Sequence, residues 1–259
     1  MVLAVAENGT GKGRRMRAVH DNEVQSSRVL QVLGALAKTP HASVKQLAES
    51  TQIPPSTLYR LLAPLVASGF ARKTSTRHYC AGPVAVQLAE RYHDAEPGNG
   101  EVLDALSSLA EASGELAAFM VVRGTEAVCV EEVESSHTLR AAYSVGVAVP
   151  LLRGATAIAL LSRMPVRQRE TIFEHYGVGS AQRTQIEVAC AAAKAAGYAL
   201  SAGELDPGIW GVSAPVLDGQ ENLAGTITLM VPIERSNNRK EELIKLVRRA
   251  AETLSEGMR

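Results

Sequence analysis

Residues 26–82 contain three short amphipathic segments followed by a basic hairpin, and this arrangement constrains the fold more than any other part of the chain. In the first segment, Ser26–Ala37, apolar residues recur at helical spacing, which predicts a helix with one buried side. The second segment opens at Ser43, and Gln46 follows three residues later, a capping-box spacing that satisfies free N–H groups at a helix start. A turn is predicted at Glu49–Gln52. Together the segments predict a helix-turn-helix.

The third segment follows Ile53 and predicts the helix that contacts DNA. It begins at Pro54 and Pro55, where proline is suitable because its missing N–H is not needed in the first helical turn. A leucine stripe at helical spacing predicts its buried side, formed by Leu58, Leu61, Leu62 and Leu65. The exposed side near the N-terminus carries the hydroxyl, aromatic and guanidinium groups that we predict to bind base edges and phosphates: Ser56, Thr57, Tyr59 and Arg60. Pro64 either kinks or ends the helix.

The runs Phe70–Lys73 and Arg77–Cys80 flank residues 74–76 and predict a small hairpin, the wing. Its basic residues complete the predicted DNA-binding set: Arg72, Lys73 and Arg77. The chain has no net charge, but residues 1–95 carry 12 Lys and Arg against 6 Asp and Glu, whereas the remainder carries 15 against 21. Positive charge therefore concentrates where phosphates would be bound. We interpret residues 24–82 as a winged helix-turn-helix domain that binds a double-stranded DNA operator.

The rest of the chain predicts a disordered tail over residues 1–23, a linker helix over 83–98 and an α+β domain over 99–259. The tail is rich in Gly, Asn, Lys and Arg, and a boundary is marked at Glu96–Gly100. Apolar periodicity predicts helices over 101–112, 153–162, 166–175, 181–196 and 240–255, and strands over 115–122, 126–133, 138–143, 197–202, 211–217 and 223–231. Strands, then helices, then strands favour a mostly antiparallel sheet.

The sequence contains no motif of a known catalytic, dinucleotide-binding or zinc site. We therefore predict no enzyme activity, no cofactor and no metal. The three cysteines, Cys80, Cys129 and Cys190, are far apart and odd in number, which favours a reducing cytoplasm over a disulfide framework. No apolar run approaches the ~20 residues of a membrane helix, so we predict no membrane partner.

Three segments of the second domain are candidates for lining a ligand pocket. Residues 150–156 enter a helix after an extended run, and a helix start favours a carboxylate or another anion. Arg153 in this segment either pairs with an acidic ligand or faces water. Residues 206–213 offer an acidic acceptor and the only tryptophan. Along residues 225–230 the strand alternation places three side chains on one face, namely Thr226, Thr228 and Met230. Such segments provide the apolar lining and few polar anchors of a sensor pocket.

The segment LAESTQIPPSTLYRLLAPLVASGF, with the order of elements around it, resembles the N-terminal domain of IclR-type transcriptional regulators. The segment GYALSAGELDPGIWGVSAPVLDGQENLAGTITLMVP resembles the end of that family's effector-binding domain. The resemblance extends over the chain from about Ser26 onward. It implies a GAF-like fold for the second domain and a small-molecule effector bound there.

The resemblance also implies which residues bind the effector: Ala155, Thr156, Asp206, Ile209, Gly211, Thr228 and Met230. The sequence departs from the family pattern at Leu152, where a histidine is common, and at Ala157–Ile158, where Gly-Lys is common. These departures leave the identity of the effector open.

Three functional hypotheses follow. In the first, the protein is a transcriptional regulator that binds a pseudo-palindromic operator as a homodimer or homotetramer, and a small organic acid or aromatic metabolite shifts its DNA-binding equilibrium. In the second, the C-terminal domain is an enzyme and the winged helix serves for protein contacts. In the third, the regulator senses nothing because its own side chains, Trp210 or Met230, fill the pocket.

Overall fold

The computed structural model describes the backbone of residues 10–95, 99–135, 137 and 144–258, and the side chains of these residues except 10–23 and 93–99. The chain divides into two compact units, Met1–His93 and Asp94–Arg259. The strand predicted over residues 138–143 lies outside the described residues.

The first unit is a three-helix module followed by a two-stranded wing. Its elements are α1 (Thr10–Lys38), α2 (Val44–Thr51), α3 (Pro55–Ala67), β1 (Ala71–Lys73) and β2 (Tyr79–Ala81), after which α4 (Pro83–Ala95) follows. The strands β1 and β2 are antiparallel, with Arg72 opposite Cys80. This order confirms the predicted winged helix-turn-helix. The predicted linker helix corresponds to α4 as far as Ala95, and residues 96–98 lie outside the described part of the chain.

Local sequence signals explain how α2 and α3 begin and end. The Ser43 side chain accepts a hydrogen bond from the Gln46 N–H at 3.2 Å, and the Gln46 Oε1 accepts one from the Ser43 N–H at 2.8 Å. The predicted capping box is therefore confirmed. Gln52, at φ +58°, ends α2 in the left-handed conformation. Helix α3 continues through Pro64 to Ala67, so this proline does not end the helix.

The core of the first unit is formed by the predicted apolar sides of the three helices. Leu58, Leu61, Leu62 and Leu65 are all buried, together with Val32, Leu36 and Leu47. The wing is joined to this core because Ala42, just before α2, forms a two-hydrogen-bond bridge with Tyr79 of β2. As a result the wing is held against the helices at its base while its basic residues stay in solvent.

Helix α1 is much longer than the sequence predicted. The prediction began the helix at Ser26 and placed a disordered tail before it, whereas the backbone is helical from Thr10. Residues 10–23, which the sequence assigned to the tail, belong to this helix, and residues 1–9 lie outside the described part. Gly11 and Gly13 have low intrinsic helix propensity, so the local sequence does not signal this extension.

The second unit is an α+β layer structure. Its helices are α5 (Asn99–Ser113), α6 (Ala155–Arg163), α7 (Val166–His175), α8 (Ser180–Ala196), α9 (Ile233–Ser236) and α10 (Lys240–Gly257). Its strands are β3 (Leu116–Arg123), β4 (Glu126–Val133), β5 (Ala148–Pro150), β6 (Ala199–Ala202), β7 (Ile209–Leu217) and β8 (Leu223–Pro232). In the described part of the chain they form one sheet in the order β5-β4-β3-β8-β7-β6, with every neighbouring pair antiparallel.

Each face of this sheet is covered by helices, because alternate side chains of the central strands pack against different layers. One face packs against α5 and α10 through residues such as Phe119, Val212 and Leu229. The other packs against α6, α7 and α8 through residues such as Met120 and Met230. The predicted antiparallel α+β architecture is confirmed.

The second unit differs locally from the expectations. Asn99 and Gly100, at the end of the predicted boundary segment, are the first two residues of α5, and the sequence did not predict β5 or α9. Trp210, which we placed among the residues of a pocket wall, is 3 % exposed in the layer between the sheet and α5 and α10. It therefore faces away from α6 and cannot fill a cavity on that side.

Candidate nucleic-acid interface and ligand pocket

The outer face of α3 presents the predicted DNA-binding side chains to solvent. Tyr59 is 57 % exposed, Ser56 and Arg60 are exposed, and Thr57 is half-buried. In the part of the chain that the structure describes, none of these four side chains forms a hydrogen bond or ion pair with another residue. The next residue along the helix from Thr57, Leu58, is fully buried. The helix is therefore anchored by one side and keeps its polar side available.

The start of α3 adds backbone donors to this face. No side chain caps the helix, and Pro55 occupies its first position. Pro55 has no N–H, and the Thr57 N–H donates to the Pro54 carbonyl at 3.0 Å. The Ser56 N–H is therefore the backbone donor that remains at the positive end of the helix dipole to favour a phosphate group. The side chains and the helix start thus offer both phosphate and base contacts on one surface.

The wing carries the remaining three predicted residues. Arg72, Lys73 and Arg77 are all exposed, and the Lys73 ammonium lies 5.7 Å from the centre of the Tyr79 ring. The tip is a tight turn in which the Thr74 hydroxyl accepts a hydrogen bond from the His78 N–H at 3.1 Å. Arg77 has a left-handed backbone, φ +60°, in this turn. The wing is a short hairpin whose exposed basic side chains can bind phosphates.

The second unit brings the seven predicted effector-binding residues around one cavity. Its lining contains Ala155, Thr156, Asp206, Ile209, Gly211, Thr228 and Met230, and also Ser201, Glu204 and Leu205. The cavity lies between the start of α6 and the strands β7 and β8. Its volume is about 20 Å³, and one water needs ~10–15 Å³ on this measure. In this conformation the cavity is closed to any organic metabolite.

A cluster of four buried hydroxyl groups extends from the cavity lining, to which Thr156 and Thr228 belong, into the core. The Ser213 and Thr228 hydroxyl oxygens are 2.8 Å apart, and the Thr156 hydroxyl lies 3.0 Å from that of Thr228 and 3.3 Å from that of Ser213. Thr226 is 3.4 Å from Thr228. All four residues are at most 3 % exposed. Since each hydroxyl both donates and accepts, the cluster can satisfy itself or turn donors toward a ligand.

The mouth of the cavity is occupied by two side chains from the loop after β6. The Glu204 carboxylate accepts a hydrogen bond from the Gly154 N–H at 2.9 Å, immediately before α6. The Leu205 side chain packs on Gly154 so closely that a Cβ at that position would lie 2.7 Å from its Cδ1. The sequence predicted an anion at this helix start. It did not predict that the protein's own Glu204 would be seated there, because that contact spans fifty residues of chain.

Sequence reasoning named Ser213 only as the end of the segment 206–213, and it did not name Ser201, which lines the cavity. The strand alternation that placed Thr226, Thr228 and Met230 together was the available signal, because the same rule on β7 groups Ile209, Gly211 and Ser213. Gly211 leaves space that a side chain would fill, since a Cβ there would lie 3.1 Å from the Ser201 hydroxyl. Arg153 is exposed and lines a neighbouring groove with α8 residues instead of the cavity.

A larger groove of about 550 Å³ lies on the other side of the sheet, between α5 and α10. It is open, mostly apolar and without a buried polar cluster; its lining includes Ala105, Leu109, Leu246 and Ala250. Size alone therefore favours this groove, but converging buried hydroxyls and backbone donors favour the cavity at α6. A ligand pocket needs such polar anchors to fix orientation.

Two of the buried cysteines, Cys129 and Cys190, do not provide reactive groups. Burial raises the pKa of the Cys129 thiol to about 12, with the nearby Glu132 carboxylate adding to the effect. Burial raises the pKa of Cys190 to about 11, and Glu187 contributes in the same direction. Both thiols are therefore protonated at neutral pH and are poor nucleophiles. Within the described residues no group of His, Cys, Asp or Glu is placed to hold a metal ion, and no helix is long and apolar enough to cross a membrane.

The comparisons with known proteins show the family. The family model of the IclR helix-turn-helix domain matches residues 27–75, and that of the bacterial transcriptional regulator IclR C-terminal domain matches residues 101–256. The chain belongs to the IclR family of transcriptional regulators.

Individual relatives agree with this assignment. The chain is 26 % identical to the HTH-type transcriptional regulator BhcR of Paracoccus denitrificans, over all of this chain and 96 % of that one. It is 23 % identical to the HTH-type transcriptional regulator KipR of Bacillus subtilis, over 77 % of this chain and 82 % of the relative. The crystal structure of an IclR transcriptional regulator from Alicyclobacillus acidocaldarius has the same fold, with a TM-score of 0.77, 21 % identity and coverage of 91 % and 98 % of the two chains.

The protein is accordingly a DNA-binding transcriptional regulator. The relatives are regulators and their family is not a family of enzymes, so the hypothesis that the C-terminal domain is an enzyme is wrong.

Proposed function

We propose that the protein binds an operator through the outer face of α3 and the wing, and that a small organic acid or aromatic metabolite bound in the α6 cavity changes its affinity for DNA. One observation carries the proposal. The first unit has a polar face on α3 whose side chains bind no other described residue, and the second unit has a cavity that is lined by the seven residues named above. In this proposal residues 24–82 are the DNA-binding domain, 83–98 are the linker and 99–259 bind the effector.

On DNA, the helix face and the wing have different roles. Arg60 and Tyr59 reach base edges in the major groove, where arginine recognises guanine through two hydrogen bonds. Arg72, Lys73 and Arg77 bind phosphates of the flanking backbone. Because phosphate contacts release counterions, affinity falls with rising salt for every DNA sequence. Base contacts add the sequence preference.

We also propose that the protein acts in the cytoplasm as a homodimer or homotetramer. A pseudo-palindromic operator requires two symmetry-related recognition helices. Support comes from apolar side chains left in solvent on α1 and α4, where Leu30, Val86 and Leu88 are each more than half exposed. Where such side chains form a contiguous patch, they mark a surface that contacts another chain. Sedimentation analysis of the full chain tests this part.

DNA binding is tested with the duplex from upstream of the protein's own gene, using fluorescence anisotropy over a salt series. We expect salt-sensitive binding that a scrambled duplex does not match, and Arg60→Ala should weaken it about 5–150-fold, as loss of one good bidentate base contact does. Arg167→Ala, an equal charge change on the exposed side of α7, should leave the affinity unchanged. Equal losses in both variants, or equal affinity for both duplexes, would overturn the DNA part of the proposal.

Effector dependence is tested by repeating the measurement with organic acids and aromatic acids. We expect at least one to change the operator affinity, because a ligand shifts an equilibrium by its difference in affinity between the two states. One observation favours the opposite outcome, in which no metabolite binds. Glu204 and Leu205 close the cavity to about 20 Å³. If no metabolite alters operator binding or the melting temperature, the protein is a ligand-independent regulator whose pocket its own side chains fill.

A further inference from the structure

A groove of about 520 Å³ lies between α2 and the first turns of α3, beside the exposed face of α3. Its α2 side includes Lys45, Ala48 and Glu49, and its α3 side is formed by Pro55 and Tyr59. Tyr59 therefore belongs both to this groove and to the exposed face of α3. In a helix-turn-helix, here α2 and α3, the second helix enters the major groove of DNA while the first crosses the sugar–phosphate backbone. A groove between the two helices is thus placed at that backbone.

The groove carries one charge of each sign, and both charges are on α2. Among the described residues of its lining, Lys45 is the only cation and Glu49 the only anion. The Lys45 Nζ lies 4.0 Å from the Glu49 Oε1, and the two side chains are 86 % and 65 % exposed. An ion pair as exposed as this one contributes little to the stability of a fold. The pair nevertheless places a carboxylate on a surface that would face a polyanion.

The neighbouring donors of α2 are engaged with the protein itself. The Ser43 and Gln46 N–H groups are bonded within the capping box. The Gln52 Nε2 donates to the Glu49 carbonyl at 2.7 Å. In the part of the chain that the structure describes, the Lys45 ammonium has the Glu49 carboxylate as its one partner, and solvent surrounds both. Of these groups, Lys45 is therefore the one that a phosphate can draw away from the protein most readily.

We propose that Lys45 binds a backbone phosphate of DNA in this groove, and that Glu49 weakens the contact by competing for Lys45, which lowers the affinity for DNA of any sequence. This inference rests on the proposed binding of DNA through α3. When DNA binds, the phosphate replaces the Glu49 carboxylate as the partner of Lys45. The loss of the ion pair then offsets part of what the phosphate contact contributes. Because phosphate contacts carry no sequence information, Glu49 acts on sequence-independent binding, and the base contacts of α3 keep the preference for the operator.

A direct base contact by Glu49 is the alternative that the carboxylate raises, because glutamate can accept a hydrogen bond from the amino group of cytosine. Against this, Glu49 lies on α2, the helix that crosses the backbone, and its carboxylate lies beside the Lys45 ammonium. The two roles have different consequences. A Glu49 that reads a base would support binding to the operator alone, whereas a Glu49 that competes for Lys45 opposes binding to every duplex.

Fluorescence anisotropy of the full chain over a salt series tests the inference, with the duplex from upstream of the protein's own gene and a scrambled duplex of the same composition. The variants are Glu49→Gln, Lys45→Gln and the double variant that carries both. Arg248→Gln and Glu252→Gln on α10 are the matched controls, since these residues form an exposed ion pair with the same spacing of four residues in the second unit. Melting curves establish that all variants fold.

We expect Glu49→Gln to strengthen the binding of both duplexes by the same factor, about two- to fivefold at low salt, the range that an exposed ion pair supplies. The gain should shrink as salt screens the charges. Lys45→Gln should weaken the binding of both duplexes and make the slope of log affinity against log salt shallower by about 0.9, the contribution of one phosphate contact. In the double variant Glu49→Gln should lose most of its effect, because no ammonium remains to compete for. The control variants should bind like the wild type.

Several results would overturn the inference. An unchanged salt slope in Lys45→Gln means that the groove holds no phosphate. An equal gain from Glu49→Gln with and without Lys45 means that Glu49 does not act by competing for Lys45. Weaker binding of the operator alone by Glu49→Gln means that Glu49 reads a base. In each of these cases the wild type still binds its operator in a salt-sensitive way, so the inference fails and the proposed function stands. If the wild type itself shows no such binding, the proposed function fails and the inference fails with it.

Discussion

The two units of this protein use their functional side chains in opposite ways. In the first unit the predicted recognition residues, such as Tyr59 and Arg60, stand in solvent on a helix whose opposite side is buried. In the second unit the polar residues of the pocket, such as Thr228 and Ser213, are inside the layer between sheet and helix. The side chains of an exposed site contribute little to the stability of the fold, whereas those of a buried site are also part of the core.

This difference separates stability from function in one unit and couples them in the other. Substitution of an exposed recognition residue removes contacts that exist only in the complex. Substitution of a buried hydroxyl leaves its neighbours without partners in the free protein as well. The following predictions test this distinction.

The largest contrast is expected between adjacent residues of α3. Leu58 is fully buried, so Leu58→Ala should lower the free energy of unfolding by about 2–5 kcal/mol. Tyr59 is 57 % exposed, and Tyr59→Ala should stay within about 0.5 kcal/mol of the wild type while weakening operator binding. Urea unfolding and anisotropy measure the two quantities. Similar destabilisation by both substitutions would show that the outer face of α3 is packed in solution.

In the second unit, Thr228→Val should reduce both stability and ligand response. Its hydroxyl is hydrogen-bonded within the buried cluster, and its loss should cost about 1–3 kcal/mol, the penalty for leaving a buried polar group unsatisfied. Thr171→Val, at an exposed position of α7, is the matched control and should be near neutral. Urea unfolding provides the measurement. A Thr228→Val protein as stable as the wild type would mean that the cluster is not structural.

The capping box of α2 should matter for stability alone. Ser43→Ala removes the side-chain acceptor of the Gln46 N–H and should destabilise the first unit by about 1 kcal/mol. Operator affinity, measured where the variant is fully folded, should be unchanged. A loss of affinity under those conditions would place this helix start in contact with DNA.

The smallest effect concerns pH and the start of α10. The Arg239 guanidinium holds the pKa of Glu242 below its ordinary value of 4.5. A carboxyl whose pKa is depressed by folding stabilises the fold above its ordinary pKa, and that contribution is lost as pH falls through the lower folded value. Glu242→Gln should therefore flatten the pH dependence of the melting temperature below about pH 4.5 slightly. If the pH dependence of the melting temperature were unchanged, the Arg239–Glu242 ion pair would not contribute to stability as described.

The sequence predicted the elements whose signals are local. The leucine spacing from Leu58 to Leu65 and the Ser43–Gln46 pair specified α2 and α3, and the structure confirms both. Alternation along β8 also predicted correctly that Thr226, Thr228 and Met230 share a face.

Features that depend on contacts between distant segments were not predicted. Trp210 was placed with the pocket segment, although strand alternation puts it on the face opposite Ile209 and Gly211, where it packs in the layer with α5 and α10. The seating of Glu204 and Leu205 on Gly154 requires a loop and a helix start that are far apart in the chain. The helical backbone of residues 10–23 is not signalled by local propensity.

Hydroxyl-radical footprinting of the full chain, free and bound to its operator duplex, tests the central claim most directly. Tyr59 is exposed and readily oxidised in the free protein, and we predict strong protection of Tyr59 by the duplex, while Tyr198 in the second unit keeps its reactivity. Unchanged oxidation of Tyr59 in a complex that protects residues of the second unit would contradict the account, because it would place DNA on a surface other than α3.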